Sequence, residues 1–503
     1  MYRLALILFA CVFGFSQPSA YNQPYRPQYH FSPREHWTND PNGLVYFDGE
    51  YHLFYQYNPF GDVWGHMSWG HAVSRDLTHW QELPVALPEE NGIMIFTGST
   101  VVDTHNTSGF CADRQPCMVA VYTGYTPPTP ARPALQTQNL AYSNDRGRTW
   151  IKYSGNPVLN LNLADFRDPQ VFWAEQARRW VMAVALPNDH KVLFYGSHDL
   201  KAWERLSEFG PAGAIGGQWE CPTLTQVQVA DSSQTRWVLK VGLNPGGLQG
   251  GSGEQYFVGN FDGSRFTNDN PSSTTFWTDY GKDCYCALTY NAMPRGKPPI
   301  MIGWMSNWQY AARAPTQPWR GQMTVPRRLQ LRRLPAGLRL MQEPIEAIQG
   351  LRGGHFAWRG TNVAELNLAL KQKVPWTSFE LRSTVLPGAA GAFAWRLLAS
   401  GGKYTAAGYA NGELFVDRTQ SGVTGFSPDF PARTSAPLAI GSAPLELTIL
   451  VDRSTLEIFA QGGQVAMTNL VYPPAGAHGM EFSTDGVKAR ISVDVWELRS
   501  AWK

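Results

Sequence analysis

The feature that most constrains the fold is a short segment that recurs through the first half of the chain. It reads Ser-Arg-Asp-Leu-Thr-His-Trp at 74–80 and returns in related forms at 143–150 and 197–203, with a looser copy at 260–266. Each copy follows an apolar run, and its Asp can accept backbone hydrogen bonds in a turn while the aromatic residue enters the core. The intervening residues alternate with a period of two and show almost no helical periodicity. The repetition therefore predicts an all-β structure assembled from similar units.

A polar segment, here called a head, precedes the first strand of each predicted unit. The five heads are Asn39-Asp40, Phe96-Thr97-Gly98-Ser99, Phe166-Arg167-Asp168-Pro169, Trp219-Glu220-Cys221-Pro222 and Tyr280-Gly281-Lys282-Asp283. Their recurrence predicts five units of about four strands each, and therefore a five-bladed β-propeller. The first strand of each blade lines the central channel, so the heads converge at one end. Four heads bring a carboxylate, and buried carboxylates are rare unless they are paired or used.

The first head lies in the heptad Trp37–Gly43. Its Pro and its Asn-Gly pair favour a turn, and the residues Leu44–Phe47 alternate as a strand. The heptad is therefore predicted to be a turn that presents Asp40 at the mouth of a strand.

The composition favours a neutral ligand that can stack on aromatic rings. Charged residues make up 16% of the 503-residue chain, against roughly 25% in average soluble proteins, and aromatic residues make up 13% with 19 Trp. A net charge of +2 argues against a nucleic-acid partner, which normally requires a strongly basic surface. A carbohydrate fits this combination of aromatic surface and few charges.

The first 20 residues are predicted to be a signal peptide. Arg3 supplies a positive charge, Leu4–Phe15 is apolar, and Ser19-Ala20 offers a small-residue cleavage end. No later stretch approaches the roughly 20 apolar residues that a membrane-spanning helix needs. We expect a secreted protein, extracellular or periplasmic, with no membrane association after signal removal.

These patterns divide the chain into four segments. Residues 1–20 are the signal peptide and residues 21–335 the propeller. The chain is basic and proline-containing from about 327 to 349, and this stretch is predicted to be an outer strand that leads into a linker at 336–349. Residues 350–503 alternate again, turn at Asn411-Gly412 and are predicted to form a β-sandwich.

The cysteines beyond the signal peptide fall into two groups. Cys111 and Cys117 flank a short polar loop and could form a disulfide in an oxidising compartment. Cys221, Cys284 and Cys286 lack the spacing of a zinc site and are expected to be packed thiols. The histidines near the first head also show no metal-ligand spacing, so no metal site is predicted.

Several carboxylates beside Trp and Arg in a neutral, aromatic funnel suit glycoside hydrolysis. One carboxylate must be ionised near the anomeric carbon, and another must be protonated so that it can hand a proton to the leaving oxygen. Their environments must therefore separate the two pKa values. Here Arg167 adds a positive charge beside Asp168, and Trp219 adds an apolar wall beside Glu220.

Four segments together resemble glycoside hydrolase family 32, which contains invertases, inulinases, levanases and related fructosyltransferases. They are Trp37–Gly43, Phe96-Thr97-Gly98-Ser99, Arg167-Asp168-Pro169 and Glu220-Cys221-Pro222, and the similarity continues through Gly303-Trp304-Met305-Ser306-Asn307-Trp308. The resemblance covers essentially the whole mature chain. It implies a five-bladed propeller followed by a sandwich, and retaining hydrolysis without a metal or a cofactor.

The resemblance also implies roles for individual residues. By position, Asp40 resembles the nucleophile that forms a fructosyl-enzyme intermediate, Glu220 the general acid that later acts as base, and Asp168 the transition-state stabiliser. Because the nucleophile and the acid of retaining enzymes lie about 5–5.5 Å apart, we predict that separation for Asp40 and Glu220. The residues implied to line the substrate pocket are Asn39, Gln56, Trp64, Phe96, Ser99, Arg167, Asp283 and Trp304.

The sequence thus predicts a secreted exo-β-fructosidase that acts on terminal β-fructofuranosyl linkages of inulin, levan or sucrose-type substrates. Endo-acting inulinases of the family tend to carry Glu where this chain has Asp40, which favours exo action. Thr97, Cys284 and Cys286 depart from the usual family residues but leave the catalytic groups in place. A fructosyltransferase on the same scaffold and an inactive fructan-binding protein are the alternatives, and the intact carboxylates count against the second.

Overall fold

The computed structural model describes residues 21–386, 391–485 and 489–502. The predicted signal peptide at 1–20 lies outside these residues. Within them the chain is almost entirely β, with one α-helix, α1 (Val363–Lys373), and short 3-10 helices at Pro187–Asp189, Ala311–Arg313 and Glu346–Leu351. No helix in the described ranges is long and apolar enough to cross a membrane.

Five sheets follow one another along the chain and form the blades of the predicted propeller. The first blade contains β1 (His36–Phe47), β2 (Glu50–Asn58), β3 (Ser68–Ser74) and β4 (Gln81–Leu87). The second contains β5 (Met94–Asp103), β6 (Cys117–Thr126), β7 (Leu135–Ser143), β8 (Ile151–Lys152) and β9 (Leu159–Leu163). The third contains β10 (Arg167–Ala174), β11 (Arg179–Leu186), β12 (Lys191–Ser197) and β13 (Glu204–Phe209).

The last two blades complete the ring. The fourth contains β14 (Gln218–Gln228), β15 (Thr235–Asn244), β16 (Gly253–Phe261), β17 (Phe266–Asn268) and β18 (Phe276–Trp277). The fifth contains β19 (Tyr285–Thr289), β20 (Ile300–Trp304), β22 (Arg327–Leu334) and β23 (Gly337–Pro344). The short strand β21 (Trp319–Arg320) leaves the fifth blade and pairs in parallel with β1, with His36 opposite Trp319. This pairing joins the last blade to the first.

The predicted β-sandwich follows the propeller. One sheet has the order β24 (Arg352–Gly360), β34 (Arg490–Leu498), β25 (Ser378–Leu386), β30 (Leu445–Asp452), β31 (Thr455–Ala460) and β32 (Val465–Leu470). The other has the order β29 (Arg433–Pro437), β28 (Glu413–Asp417), β27 (Lys403–Ala410), β26 (Phe393–Ser400) and β33 (Gly479–Thr484). Apolar side chains from both sheets, among them Trp395, Ile449 and Phe482, are buried in one core.

The predicted linker at 336–349 is wrong in its first half. Strand β23 occupies Gly337–Pro344 and pairs in antiparallel register with β22. Pro335 lies in the two-residue turn between these strands, because Leu334 is opposite Gly337. The proline that suggested a linker therefore closes a hairpin, and the propeller extends to residue 344.

All five innermost strands carry a bulge at or beside their head. The pairing with the second strand shifts register between Thr38 and Pro41 in β1, between Ile95 and Gly98 in β5, and at corresponding points of β10, β14 and β19. A β-bulge bends the strand locally and re-aims its side chains. The bulges therefore determine which side chains enter the channel.

The turn predicted at Trp37–Gly43 is wrong, because the whole heptad belongs to strand β1. Two register shifts accommodate the residues that suggested a turn. Gly43 has a φ of 54°, and a Cβ there would lie 2.6 Å from Thr100 Oγ1, so only glycine fits without strain. Pro41, which has no N–H to donate, lies at the first shift, where regular pairing is interrupted.

The recurring turns are structural, as the sequence indicates. In the first copy, Asp76 Oδ1 accepts backbone N–H groups of Thr78 at 2.9 Å and His79 at 2.8 Å. Asp199 accepts the equivalent pair in the third copy. These carboxylates close hairpins on the outer part of the blades and do not reach the channel.

A fully buried set of charges, the junction network, joins the propeller and the N-terminal segment to the sandwich. Its anions are Asp279, Asp283, Asp452 and Glu457, and its cations are His30, Arg327 and Arg418. Arg327 reaches Asp279 at 2.9 Å and Glu457 at 2.7 Å, and His30 lies 3.0 Å from both Asp452 and Glu457. Anions and cations therefore meet in direct pairs across the interface.

Candidate active site

A cavity of about 500 Å³ opens where the innermost strands converge. It is lined by Asn39, Asp40, Gln56, Trp64, Phe96, Thr97, Tyr125, Ala134, Gln136, Ala164, Asp165, Arg167, Asp168, Glu220, Asn244 and Trp308. The lining brings together the heads of the first four blades. Asp40, Asp168 and Glu220, which are 180 residues apart at most, share this one cavity.

Asp40 is held by one hydrogen bond and is otherwise short of partners. Its Oδ2 accepts from Thr97 Oγ1 at 2.7 Å, while its Oδ1 is buried with no hydrogen-bond partner among the described residues. Burial raises the pKa of Asp40 to about 6, and the nearby charge of Glu220 acts in the same direction against the lowering effect of Thr97. The unpartnered oxygen is the one that is free to approach a substrate.

Asp168 is fixed through its backbone and its side chain. Its N–H donates to Thr123 Oγ1 at 3.0 Å, and its Oδ2 accepts the backbone N–H of Cys221 at 3.0 Å. Burial raises the pKa of Asp168 to about 7, with the charges of Glu220 and Asp40 adding to the effect and that of Arg167 opposing it. The backbone φ of 66° at Asp168, uncommon for a residue with a side chain, lies within the bulge of β10.

Both carboxylate oxygens of Glu220 accept hydrogen bonds. Its Oε1 accepts from Arg167 Nε at 3.1 Å and from Nη2 at 2.9 Å, and its Oε2 accepts a short hydrogen bond from the Tyr285 hydroxyl. Arg167 is itself held by Asp165 at 2.7 Å and Gln218 at 2.6 Å. Glu220 is 18% exposed, so it borders the open part of the cavity.

The cavity holds more negative than positive charge. Four carboxylates, those of Asp40, Asp165, Asp168 and Glu220, line the cavity with a single buried guanidinium, that of Arg167. Although burial alone would lower it, the carboxylates Glu220 and Asp168 hold the pKa of Arg167 above its ordinary value. Burial in this negatively charged cavity thus raises the pKa values of both Asp40 and Asp168. Such a site favours a substrate that gains positive charge as it reacts.

Aromatic side chains form one wall of the cavity. Phe96 stacks on Tyr125 with ring centroids 4.6 Å apart, and Trp64, which is 43% exposed, meets Phe96 edge-on at 6.0 Å. The side-chain amides of Asn39 and Gln56 lie beside the carboxylates. Asn39 accepts from Trp37 Nε1 at 2.8 Å, which fixes its orientation. Apolar faces beside polar groups match the alternating character of a sugar ring.

Five of the predicted pocket residues line the cavity: Asn39, Gln56, Trp64, Phe96 and Arg167. The structure does not place the other three there. Ser99 lies deeper in the channel, where its Oγ accepts the N–H of Val171 at 2.8 Å. Trp304 is fully buried beneath Trp308, with ring centroids 4.7 Å apart, and Trp308 is the residue that reaches the cavity.

Asp283, the third, belongs to the junction network and not to the pocket. It is fully buried, and its carboxylate accepts from Arg418 and from the Tyr310 hydroxyl, each at 2.5 Å. The strand register explains the error. In β10 the bulge begins directly after Arg167, and in β14 it begins directly after Glu220. In β19 it begins directly after Tyr285, which lies two residues beyond Asp283. Tyr285 is therefore the fifth-blade counterpart of the other heads.

Several lining residues were missed by sequence reasoning, namely Thr97, Tyr125, Gln136, Asp165, Asn244 and Trp308, together with Tyr285 behind Glu220. Thr97 stands inside a recognised head, and Trp308 ends the segment that contains Trp304. Tyr285 lies between two cysteines that were noted as unusual. Gln136 and Asp165 carry no comparable signal.

The cysteines form two disulfides. Cys111 and Cys117 are bonded, a possibility that the sequence leaves open. The expectation of packed thiols is wrong for Cys221 and Cys286, which are bonded to each other, and holds for the buried Cys284. Cys221 and Cys286 are 65 residues apart in sequence and lie on adjacent blades, so the local spacing of the cysteines does not indicate the bond.

Two groups of potential metal ligands occur in the described part of the chain. One combines Asp40 with Cys221 and Cys286, and the other combines Asp103 with Cys111 and Cys117. Both pairs of sulfurs are committed to disulfides and offer no thiolate, which is the form of Cys that binds metals. Neither group is therefore a suitable metal site.

Carboxylates of different burial in one aromatic-walled cavity, on a propeller followed by a sandwich, define a glycoside hydrolase. The chain belongs to the glycosyl hydrolases family 32: residues 30–344 match the N-terminal domain of that family and residues 348–497 its C-terminal domain. The boundary between the matches falls directly after β23, in agreement with the corrected end of the propeller.

Named relatives and solved structures agree with this assignment. The chain is 43% identical to a levanase of Bacillus subtilis over 496 residues, covering 96% of this chain and 72% of that protein. It is 41% identical to an extracellular exo-inulinase of Aspergillus niger over 543 residues, covering 100% of both. The crystal structure of exo-inulinase from Aspergillus awamori superposes with a TM-score of 0.88 at 38% identity, covering 96% of this chain and 100% of that one.

Proposed function

We propose that the chain is a secreted, retaining exo-β-fructosidase that removes terminal fructose from fructans and sucrose-type substrates. One observation carries the proposal: Asp40, Asp168 and Glu220 share one cavity with a single compensating guanidinium. Glycoside hydrolysis passes through an oxocarbenium-like transition state, whose positive charge such a cluster stabilises. The relatives named levanase and exo-inulinase support fructans as the substrate class.

In the first step Asp40 is the nucleophile. Thr97 holds Oδ2, so the unpartnered Oδ1 is the oxygen that bonds to the anomeric carbon. Glu220, at the more open side of the cavity, donates a proton to the glycosidic oxygen as the bond from that oxygen to the anomeric carbon breaks. The leaving alcohol departs, and fructose remains as an ester on Asp40.

In the second step the roles of Glu220 reverse. Its carboxylate takes a proton from a water molecule, the water oxygen bonds to the anomeric carbon, and the ester bond to Asp40 breaks. Fructose is released with its anomeric configuration retained, and both residues return to their starting states. Asp168, Asn39 and Gln56 are proposed to hold the fructose hydroxyls, because their polar groups line the cavity around the reacting position.

Exo action is supported by the shape of the site. The heads of four blades and the aromatic wall surround a cavity of about 500 Å³, in place of a groove that would accept a long chain along its length. A chain end can enter such a cavity, whereas the middle of a polymer cannot.

The test is product analysis with sucrose, inulin and levan incubated separately with the full chain. We expect fructose as the sole early product from the two polymers, and equal glucose and fructose from sucrose. Asp40→Asn, at the same concentration, is the control for contaminating activity. Oligosaccharides released early from inulin would contradict exo action, longer products from concentrated sucrose would indicate a fructosyltransferase, and no turnover would indicate a binding protein.

The stereochemistry tests the mechanism separately. NMR spectra recorded before mutarotation should show β-fructofuranose as the first product. The predicted separation of about 5–5.5 Å between Asp40 and Glu220 belongs to the same mechanism. The α anomer as first product would contradict a covalent intermediate on Asp40.

A further inference from the structure

The disulfide between Cys221 and Cys286 lies directly behind the candidate catalytic groups. It joins β14 to β19, the innermost strands of the fourth and fifth blades, with Cα atoms 5.4 Å apart. These strands belong to separate sheets and share no hydrogen-bonded ladder. Both cysteines are buried, with exposed fractions of 1% and 0%. The bond is therefore a covalent connection between two blades at the depth of the active site.

Each cysteine adjoins a residue that acts on the proton donor. Cys221 directly follows Glu220, and Cys286 directly follows Tyr285, whose hydroxyl donates to Glu220 Oε2. Chain, disulfide and hydrogen bond thus form a closed ring through Glu220, Cys221, Cys286 and Tyr285. In such a ring a displacement of the Glu220 carboxylate strains or breaks its hydrogen bond from Tyr285, unless the tyrosine moves with it.

The backbone at both ends of the disulfide is in an uncommon conformation. Cys221 has a φ of 50° and Cys286 a φ of 46°, and each lies in the bulge of its strand. Residues with side chains adopt this region at an energetic cost and keep it only when their surroundings impose it. The disulfide ties these two bulges to each other.

The same disulfide also contacts the two aspartates. The backbone N–H of Cys221 donates to Asp168 Oδ2 at 3.0 Å. Cys221 Sγ lies 3.8 Å from Asp40 Oδ2, and in the disulfide it has no hydrogen to donate. A free thiol at that distance would be a second donor to Asp40 besides Thr97, so the bond also determines the hydrogen bonding of the nucleophile.

We propose that Cys221 and Cys286 are positioning residues, whose disulfide holds Glu220 and Tyr285 in the geometry that proton donation requires. This inference rests on the proposed function, since it assigns a role within the same site. Catalysis is sensitive to such placement, because a displacement of about 1 Å can cost roughly 100-fold in rate. The disulfide acts through other residues and does not itself touch the substrate.

The experiment compares three variants of the full chain with the wild type on sucrose. Cys221→Ala/Cys286→Ala removes the disulfide and leaves no thiol at the site. Cys286→Ala removes it and leaves the Cys221 thiol facing Asp40. Cys111→Ala/Cys117→Ala removes the other disulfide, whose residues do not line the cavity, and is the matched control. Peptide mapping without reduction verifies the bonds, and near-UV circular dichroism gives the folded fraction.

We expect kcat per folded molecule to fall about 10- to 100-fold in both active-site variants, with KM within about threefold, because orientation and not affinity is lost. The control should keep wild-type kcat. The pH profile of kcat/KM distinguishes the two variants: a thiol that donates to ionised Asp40 lowers its pKa, so the acid limb of Cys286→Ala should lie at lower pH than that of the double variant.

Two results would overturn the inference. One is a kcat within twofold of wild type in both folded active-site variants, whatever their thermal stability. The other is failure of both to fold while the control folds, which would assign the disulfide a structural role alone. A wild-type chain that releases no fructose from sucrose, inulin or levan would contradict the proposed function instead, so the two failures are distinguishable.

Discussion

The active-site cavity and the junction network both bury several carboxylates, and they differ in how that charge is balanced. In the junction network four carboxylates meet three cations, and the pKa of Glu457 is held below its ordinary value: burial would raise it, but Arg327 and His30 prevail. In the cavity, four carboxylates share one guanidinium, and burial raises the pKa of Asp40 to about 6 and that of Asp168 to about 7.

The comparison shows how one scaffold uses buried charge for two purposes. In the junction network the partner is another side chain, and the charge fixes how the domains meet. In the proposed mechanism the missing partner in the cavity is the transition state, whose positive charge completes the balance during reaction. Removal of the Asp40 carboxylate should therefore abolish catalysis, whereas removal of a carboxylate of the junction network should weaken folding.

The largest expected effect is on activity. Asp40→Asn should lower kcat on sucrose by about 10⁴-fold or more, because the amide cannot form the covalent intermediate. Initial rates over a range of enzyme concentrations measure this. Asp165→Asn changes another carboxylate of the same cavity, whose hydrogen-bond partners among the described residues are Arg167 and Asn188. It should cost about tenfold or less, as expected for lost hydrogen bonds. Equal losses in the two variants would contradict the assignment of Asp40.

The next effect is on folding. Asp283→Asn should lower the free energy of unfolding by about 3–5 kcal/mol, because it leaves Arg418 buried without a counter-charge. Urea denaturation at neutral pH measures the change. The matched control is Asp48→Asn, which breaks a surface pair with Arg146 and should cause no measurable loss. Folded Asp283→Asn should keep the wild-type KM. A large increase in KM would instead indicate that Asp283 contributes to substrate binding.

A third prediction concerns the pH dependence of stability. The folded pKa of Asp40 is raised from 3.8 to about 6, so its contribution to stability is present below about pH 4 and lost as the pH rises through 6. The amide of Asp40→Asn does not titrate, so the variant does not undergo this decrease in the free energy of unfolding. As the pH rises from 4 to 7.5, the free energy of unfolding of the variant should therefore increase by about 2–3 kcal/mol relative to that of the wild type. Urea titrations at both pH values measure this, and a constant difference would contradict it.

The smallest effect sharpens the electrostatics of the cavity. Thr97→Val keeps the side-chain volume and removes the hydrogen bond to Asp40 Oδ2. Because that bond favours the ionised carboxylate, its loss should raise the pKa of Asp40 and move the acid limb of kcat/KM upward by about one pH unit. The pH profile on sucrose measures the shift. A limb that stays in place would indicate that another group controls it.

Much of this molecule follows from local patterns in the sequence. The recurring turns, the two-residue alternation and the spacing of the heads predict the five blades. The cavity heads are predicted as well, because Asp40, Asp168 and Glu220 each lie at or beside the bulge in the innermost strand of a blade.

The error at Asp283 arises from strand register. Asp283 stands two residues before the bulge of β19, so the side chain that enters the channel is Tyr285. A shift of this size along a strand does not alter the hydrophobic pattern, because the period is two. Two other features depend on contacts between blades, which no local pattern encodes. They are the disulfide between Cys221 and Cys286 and the position of Trp308 at the cavity.

The parallel pairing of β21 with β1 affects the order in which the chain can fold as it is synthesised. A ribosome makes Asp40 among the earliest residues of the mature chain, yet the strand that carries it gains its last neighbour only when Trp319 and Arg320 have been made. The N-terminal segment waits longer still, because Gln28 binds Asp452, 424 positions downstream. The proposed nucleophile is therefore the first of the three carboxylates to be synthesised, although its strand is completed late. A chain stalled before residue 319 carries all three carboxylates without a closed ring to hold them.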